Sequence, residues 1–113
     1  MSTSTPLAER HCRDLPAGTP ALADGELRSL LEQVPGWTVD GERLRRDYRF
    51  PDFVTALAFV NRVGALAEAE GHHPDLELAW GRVGVALWTH SVGGLSENDF
   101  ILAARMNALP ATG

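Results

Sequence analysis

Between Asp52 and Gly71 the apolar residues Phe53, Ala56, Leu57, Val60, Val63, Leu66 and Ala67 fall on one stripe of helical period, with a capping acid before them and a glycine stop after. This predicts one long amphipathic helix in the middle of the chain, and its stripe needs a second layer to bury against. Two hairpin patterns, one on each side, supply that layer. Ahead of the helix, Trp37-Thr38-Val39 is a short strand pattern and Asp40-Gly41 carries turn chemistry. Leu44, Tyr48 and Phe50 then alternate with Arg43, Arg45, Asp47 and Arg49. Behind the helix, Leu76, Leu78 and Trp80 alternate, Gly81 to Gly84 form a turn, and Val83, Val85 and Leu87 alternate again.

Two further helices flank this centre. Leu27, Leu30, Leu31 and Val34 recur at helical spacing after Asp24, a capping or first-turn acid, and Pro35-Gly36 ends the run. Ser96-Glu97-Asn98-Asp99 has capping-box logic and leads into Phe100, Ala103, Ala104 and Ala108, with Pro110 as the stop. The order is α-β-β-α-β-β-α. It lacks the repeated βαβ units of a parallel sheet, so the expected class is α+β: a four-stranded antiparallel sheet with three helices packed on one face. With 113 residues there is room for one core only, assigned to residues 21–110. Residues 1–20 mix Ser, Thr, Pro and Gly without a sustained period and are expected as a flexible arm, with His11 and Cys12 an exposed, inert pair in it.

Charge and composition narrow the function classes. A formal charge of -5 and a pI near 5.2 oppose the basic footprint of a phosphate-backbone binder, so no nucleic-acid partner is expected. No apolar run reaches the ~20 residues of a membrane span, and the start MSTSTPLAERHC lacks a secretory layout; the expected setting is cytoplasmic, with no membrane partner. Cys12 is the lone cysteine, which excludes an internal disulfide and a cysteine-based zinc site.

The chemistry concentrates in the second half. His72-His73-Pro74 follows the long helix and His90 follows the last strand, both at element ends, where a side chain is held firmly yet stays reachable. Pro74 biases His73 towards extended backbone, so the adjacent imidazoles should diverge. That divergence, and the lack of an HExxH-type spacing, argue against a metal held by His72, His90 and a carboxylate. Each position also has a plainer structural reading. Asp99 serves as the acid of the Ser96 capping box, Glu68 as a solvated helix residue or one that faces His72 a turn later, and Trp80 and Trp88 as core or sheet-face residues. His90 serves as a half-buried histidine on the strand face of Ala86 and Trp88.

The spacing brings these positions together. Glu68, three residues, His72-His73-Pro74, five residues, Trp80, nine residues, His90, eight residues and Asp99 reads EAEGHHPDLELAW and WTHSVGGLSEND in the chain. This resembles the signature of the pterin-4a-carbinolamine dehydratases, and the likeness extends to PGW at 35–37, to RDYRFPDF at 46–53 and to the glycines at 93 and 94. The resemblance implies dehydration of a 4a-hydroxytetrahydropterin to the quinonoid dihydropterin, in recycling of a tetrahydrobiopterin-type cofactor, with no metal or organic cofactor. It implies His72 and His90 in acid-base work, and His73 chiefly in holding the pterin with Glu68, Pro74, Trp80 and Asp99. A homodimer or homotetramer is implied as well. Two other functions are compatible with the resemblance: a non-catalytic dimerisation cofactor of a homeodomain transcription factor, and a dehydratase acting on another pterin. Retention of all three histidines favours catalysis over the first.

Overall fold

The computed structural model describes residues 5–109. After a single 3₁₀ turn at Leu7–Glu9 come α1 (Asp24–Leu31), β1 (Thr38–Asp40), β2 (Arg43–Arg49), α2 (Phe53–Glu70), β3 (Asp75–Ala79) and β4 (Arg82–Leu87). A second 3₁₀ turn, His90–Val92, precedes α3 (Glu97–Asn107). The strands form one antiparallel sheet in the order β1-β2-β4-β3, so the two hairpins join through β2 and β4 in the middle, Leu44 opposite Leu87 and Tyr48 opposite Val83. The predicted class and element order hold.

Local chemistry sets the ends of the long helix. Asp52 caps α2 by accepting the Thr55 amide at 2.8 Å, and Gly71 closes it with a left-handed φ of 67°, a conformation that costs a residue with a Cβ roughly 1 kcal/mol. Of the buried stripe of α2, Ala56, Phe59, Val63 and Ala67, the first three share one core with Leu44, Val83, Val85 and Leu87 of the sheet and with Phe100, Ile101, Leu102 and Met106 of α3. Tyr48 and Phe50 pack on Phe59 at ring separations of 4.5 and 5.2 Å. Cutting a fully buried ring such as Phe100 to Ala should cost about 3–5 kcal/mol, since the cavity would stay lined by other rigid elements. α1 sits at the rim, where Leu27, Leu30 and Leu31 are partly buried, and Glu26 Oε1 accepts the amide of Ala23 to secure its start.

The other face of the sheet carries charge. Arg43 pairs with Asp75, Arg45 with Asp40, and Arg82 with both Asp47 and Glu77, so the arginines of β2 and β4 meet acids of β1, β2 and β3. A solvated, internally paired face is what the alternation implies.

Several local expectations change. Trp37 precedes β1, and the second hairpin turns at Trp80-Gly81, so that Arg82 to Gly84 belong to β4. The largest change concerns the arm expected over residues 1–20. Residues 1–4 lie outside the described part, but from Leu7 the segment is fastened to the domain. Leu7 is in the core, Arg10 pairs with Glu97, the Arg10 carbonyl accepts Arg105 Nε at 2.7 Å, and the Cys12 amide donates to Glu70 Oε1 at 2.7 Å. The Arg13 amide and carbonyl are both bound by the side-chain amide of Asn98, at 3.1 and 2.7 Å. A composition without period hides this segment because side chains of other elements, and not its own ladder, satisfy its backbone.

Candidate active site

The left-handed turn at Gly71 takes the chain off the axis of α2 and delivers His72 and His73 to one side of an open cleft of about 820 Å³. Gly93, also left-handed at φ 67°, closes the turn that carries His90 to the same cleft, and Trp88, Thr89, Ser91, Asp75 and Asn98 line it as well. The adjacent imidazoles diverge as expected. His72 turns inward, its side chain 12% exposed, and His73 outward, 60% exposed.

His72 Nε2 lies 2.6 Å from Oδ1 of Asp99, which is fully buried. The other oxygen of Asp99 accepts the Ser96 amide at 2.9 Å and the Thr89 hydroxyl at 2.8 Å. Having given its one proton to Asp99, Thr89 must accept from the Ser96 hydroxyl, 2.7 Å away, so the direction of the whole chain of bonds is set. A carboxylate accepts only, so Nε2 of His72 carries a proton, and in the neutral ring Nδ1 has the lone pair. Asp99 therefore caps α3, as the capping-box reading has it, and also orients His72, a role its sequence position did not suggest; fully buried and outside the cleft lining, it is not placed to hold a pterin directly.

The other predicted positions are distributed less tightly. Glu68 meets His73 at 2.6 Å and not His72, a correction that follows from the outward turn of His73 back over the last turn of α2. Pro74 is half-buried between the cleft residues His73 and Asp75. His90 stands in a 3₁₀ turn beyond β4 and not on the strand, its ring 4.0 Å from that of Trp88. Trp80 is not brought to the cleft: it tops the β3–β4 turn, 72% exposed, about 16 Å along β3 from the cleft residue Asp75. Trp88, one of the two tryptophans read as core, lines the cleft, with the Arg43 guanidinium 4.4 Å from its ring centre.

Sequence reasoning missed another part of the cleft lining. Arg13, Asp14, Leu15 and Pro16 line the cleft, placed there by the Asn98 and Glu70 bonds. No motif announces them. The sequence signal nearest to it is Asn98, a buried polar residue inside a capping box, whose amide has to be satisfied by something. Burial, reinforced by the Glu70 and Asp99 carboxylates, pushes the Cys12 thiol up to about 12. Burial on its own would raise the Glu70 carboxyl, but the Cys12 amide, His11 and Arg105 outweigh it and hold the group below its usual value. Among the described residues no group of three or more His, Cys, Asp or Glu side chains is placed to hold a metal ion, and no helix is long and apolar enough to cross a membrane.

Comparison with known proteins gives a consistent set of likenesses. The family model described as pterin 4 alpha carbinolamine dehydratase matches residues 20–109. A Chlorobium limicola protein provisionally named pterin-4-alpha-carbinolamine dehydratase is 59% identical over 97 residues, 82% of this chain and 85% of its own. A protein of the same provisional name from Rubrobacter xylanophilus is 48% identical over 104 residues, 91% of this chain and 97% of its own. A crystal structure of a transcriptional coactivator/pterin dehydratase from Brucella melitensis superposes with a TM-score of 0.74 at 39% identity, covering 82% of this chain and 99% of that one.

Proposed function

The chain belongs to the pterin 4 alpha carbinolamine dehydratase family, and from that membership and its cleft we propose how it works as a hydro-lyase on a 4a-hydroxytetrahydropterin. The reaction breaks the bond from carbon 4a to its hydroxyl and forms the double bond to nitrogen 5, leaving the quinonoid dihydropterin and water. Hydroxide is a poor leaving group and must receive a proton as it departs, while nitrogen 5 gives up its own. One acid and one base balance the step, and no redox partner is needed.

His72 is the base. Its Nε2–H is engaged by Asp99, so Nδ1 has the lone pair that takes the proton of nitrogen 5, and the buried carboxylate 2.6 Å away offsets the positive charge that then forms on the ring. His90, on a separate element lining the same cleft, delivers the proton to the departing hydroxyl. His73, outward and held by Glu68, binds the pterin. The histidine–aspartate pair carries this reading, since a histidine kept only for packing needs no buried carboxylate to select its tautomer.

The family also supports a homo-oligomer, and the single reduced-type thiol of Cys12 supports a cytoplasmic setting. The test of the activity is the spectral decay of freshly generated 4a-hydroxytetrahydropterin, with and without protein, in the presence of a chelator. Acceleration that persists in chelator is expected. Loss of activity restored by zinc or iron would overturn the purely histidine-based mechanism.

A further inference from the structure

The family match begins at residue 20 and so leaves Arg13–Pro16 outside it, yet these residues border the same cleft as His72 and His90. Its placement is heavily specified. Asn98 is buried, and its one side chain binds both the amide and the carbonyl of Arg13, while Glu70 takes the Cys12 amide just before. Such a two-sided amide clamp fixes the backbone at Arg13 without engaging its side chain. The Arg13 side chain is 72% exposed, with Glu97 only at 4.0 Å, and Asp14 follows it on the cleft rim. A guanidinium donor and a carboxylate acceptor thus follow one another in the chain along the border of the cleft, on a backbone fixed by Asn98 and Glu70.

We infer that Arg13 and Asp14 are specificity-determining residues that grip the hydroxylated side chain of the pterin. The inference rests on the dehydratase reading. The ring carbon that bears this side chain is bonded to nitrogen 5, so once nitrogen 5 meets His72 the substituent leaves the reacting centre at once and heads for another wall of the cleft. The cleft has room for it, at about 820 Å³ within the range of sites for molecules larger than a bare bicyclic ring. Vicinal hydroxyls each offer a donor and acceptors, which matches an Arg–Asp pair and not the apolar remainder of the wall, Leu15 and Pro16.

The experiment compares two substrates, the 4a-hydroxytetrahydropterin with a dihydroxypropyl side chain and the same compound with a methyl group in its place. For each, kcat and KM are measured in the full chain and in the Arg13→Ala, Asp14→Ala double variant. The full chain is expected to prefer the hydroxylated substrate in kcat/KM, and the double variant to lose about tenfold of that preference, mostly through KM. A preference ratio equal in both proteins overturns the assignment, even where the absolute rates fall. Failure of the full chain to turn over either substrate would overturn the dehydratase reading together with it, and is distinguishable from an unchanged ratio.

Discussion

His72 donates through Nε2 to a carboxylate, Asp99, that is sealed from solvent and whose other oxygen holds the first turn of α3. One residue thereby selects the tautomer of the base and closes a helix end. Substituting it should affect the two functions separately, depending on what replaces it.

In Asp99→Asn, the amide oxygen can keep accepting from Thr89 and Ser96, which turns the Asn NH₂ towards His72 and forces the lone pair on to Nε2. We expect a folded protein with kcat lowered about 10²-fold, close to the loss in His72→Ala. Asp99→Ala should in addition lower stability by about 1–3 kcal/mol, as buried donors lose their acceptor. In the double variant Asp99→Asn, His72→Ala the losses in kcat should not add. Full additivity in kcat would mean that Asp99 does not act through His72.

Replacing His90 by Ala should lower kcat about 10²-fold while leaving the circular dichroism unchanged, since the ring lies outside the core. Replacing His73 should raise KM more than it lowers kcat, because a residue that holds the substrate acts on the bound ground state too. A His90 variant with full kcat, or one that fails to fold, would leave His90 a structural residue.

These assignments show what the sequence made legible. The long helix, both hairpins and the Ser96–Asp99 cap could be read because each is written within a few neighbouring residues, as a stripe, an alternation or a capping box. Divergence of His72 and His73 was equally local, a consequence of Pro74. What escaped was the pairing between distant segments. Helical spacing allows Glu68 to face His72 as an alternative to a solvated position, but the chain has left the helix by Gly71 and the geometry of spacing no longer applies. The signature groups Trp80 with the site, yet Trp80 lies past the end of β3 and outside the residues that line the cleft. The docked N-terminal segment was invisible because Asn98 and Glu70, far along the sequence, hold it.

The Cys12 thiol should report on that docking. With its ionisation raised to about 12, it is almost wholly protonated at neutral pH, and alkylation by iodoacetamide should run about 10²-fold or more slower than for a free thiol. A rate within about threefold of free cysteine would show the segment undocked in solution.

The same docking predicts a pH dependence. The Glu70 carboxyl is held below its ordinary 4.5, so it contributes stability that is present above that value and is lost as pH falls through the lowered one. The difference in Tm between the natural chain and Glu70→Gln should therefore be constant near neutrality and shrink below about pH 4.5. A difference that stays the same down to about pH 3 would mean that the charge of Glu70 plays no part.

Trp80, with Phe53, Val54 and Leu57 at the start of α2, leaves large apolar side chains in water. For a chain proposed to assemble with copies of itself, light scattering at micromolar concentration should give a dimer or tetramer mass, and Trp80→Glu should shift it downwards if that residue is covered. A monomer mass for the natural chain would count against assembly.

The bonds from Arg10 to Arg105 and from Arg13 to Asn98 join residues more than eighty positions apart, and they bear on the order in which a growing chain can become active. The sheet and α2 are complete by Leu87, but the cleft then has neither the docked Arg13–Pro16 segment nor Asp99. A nascent chain stalled before α3 would bear His72 with nothing to select its proton. Contacts of such long sequence separation close late, because the loop entropy must be met before they form. Catalytic competence should thus arrive in one step near the end of synthesis, and truncation within α3 should abolish activity even where much of the sheet persists.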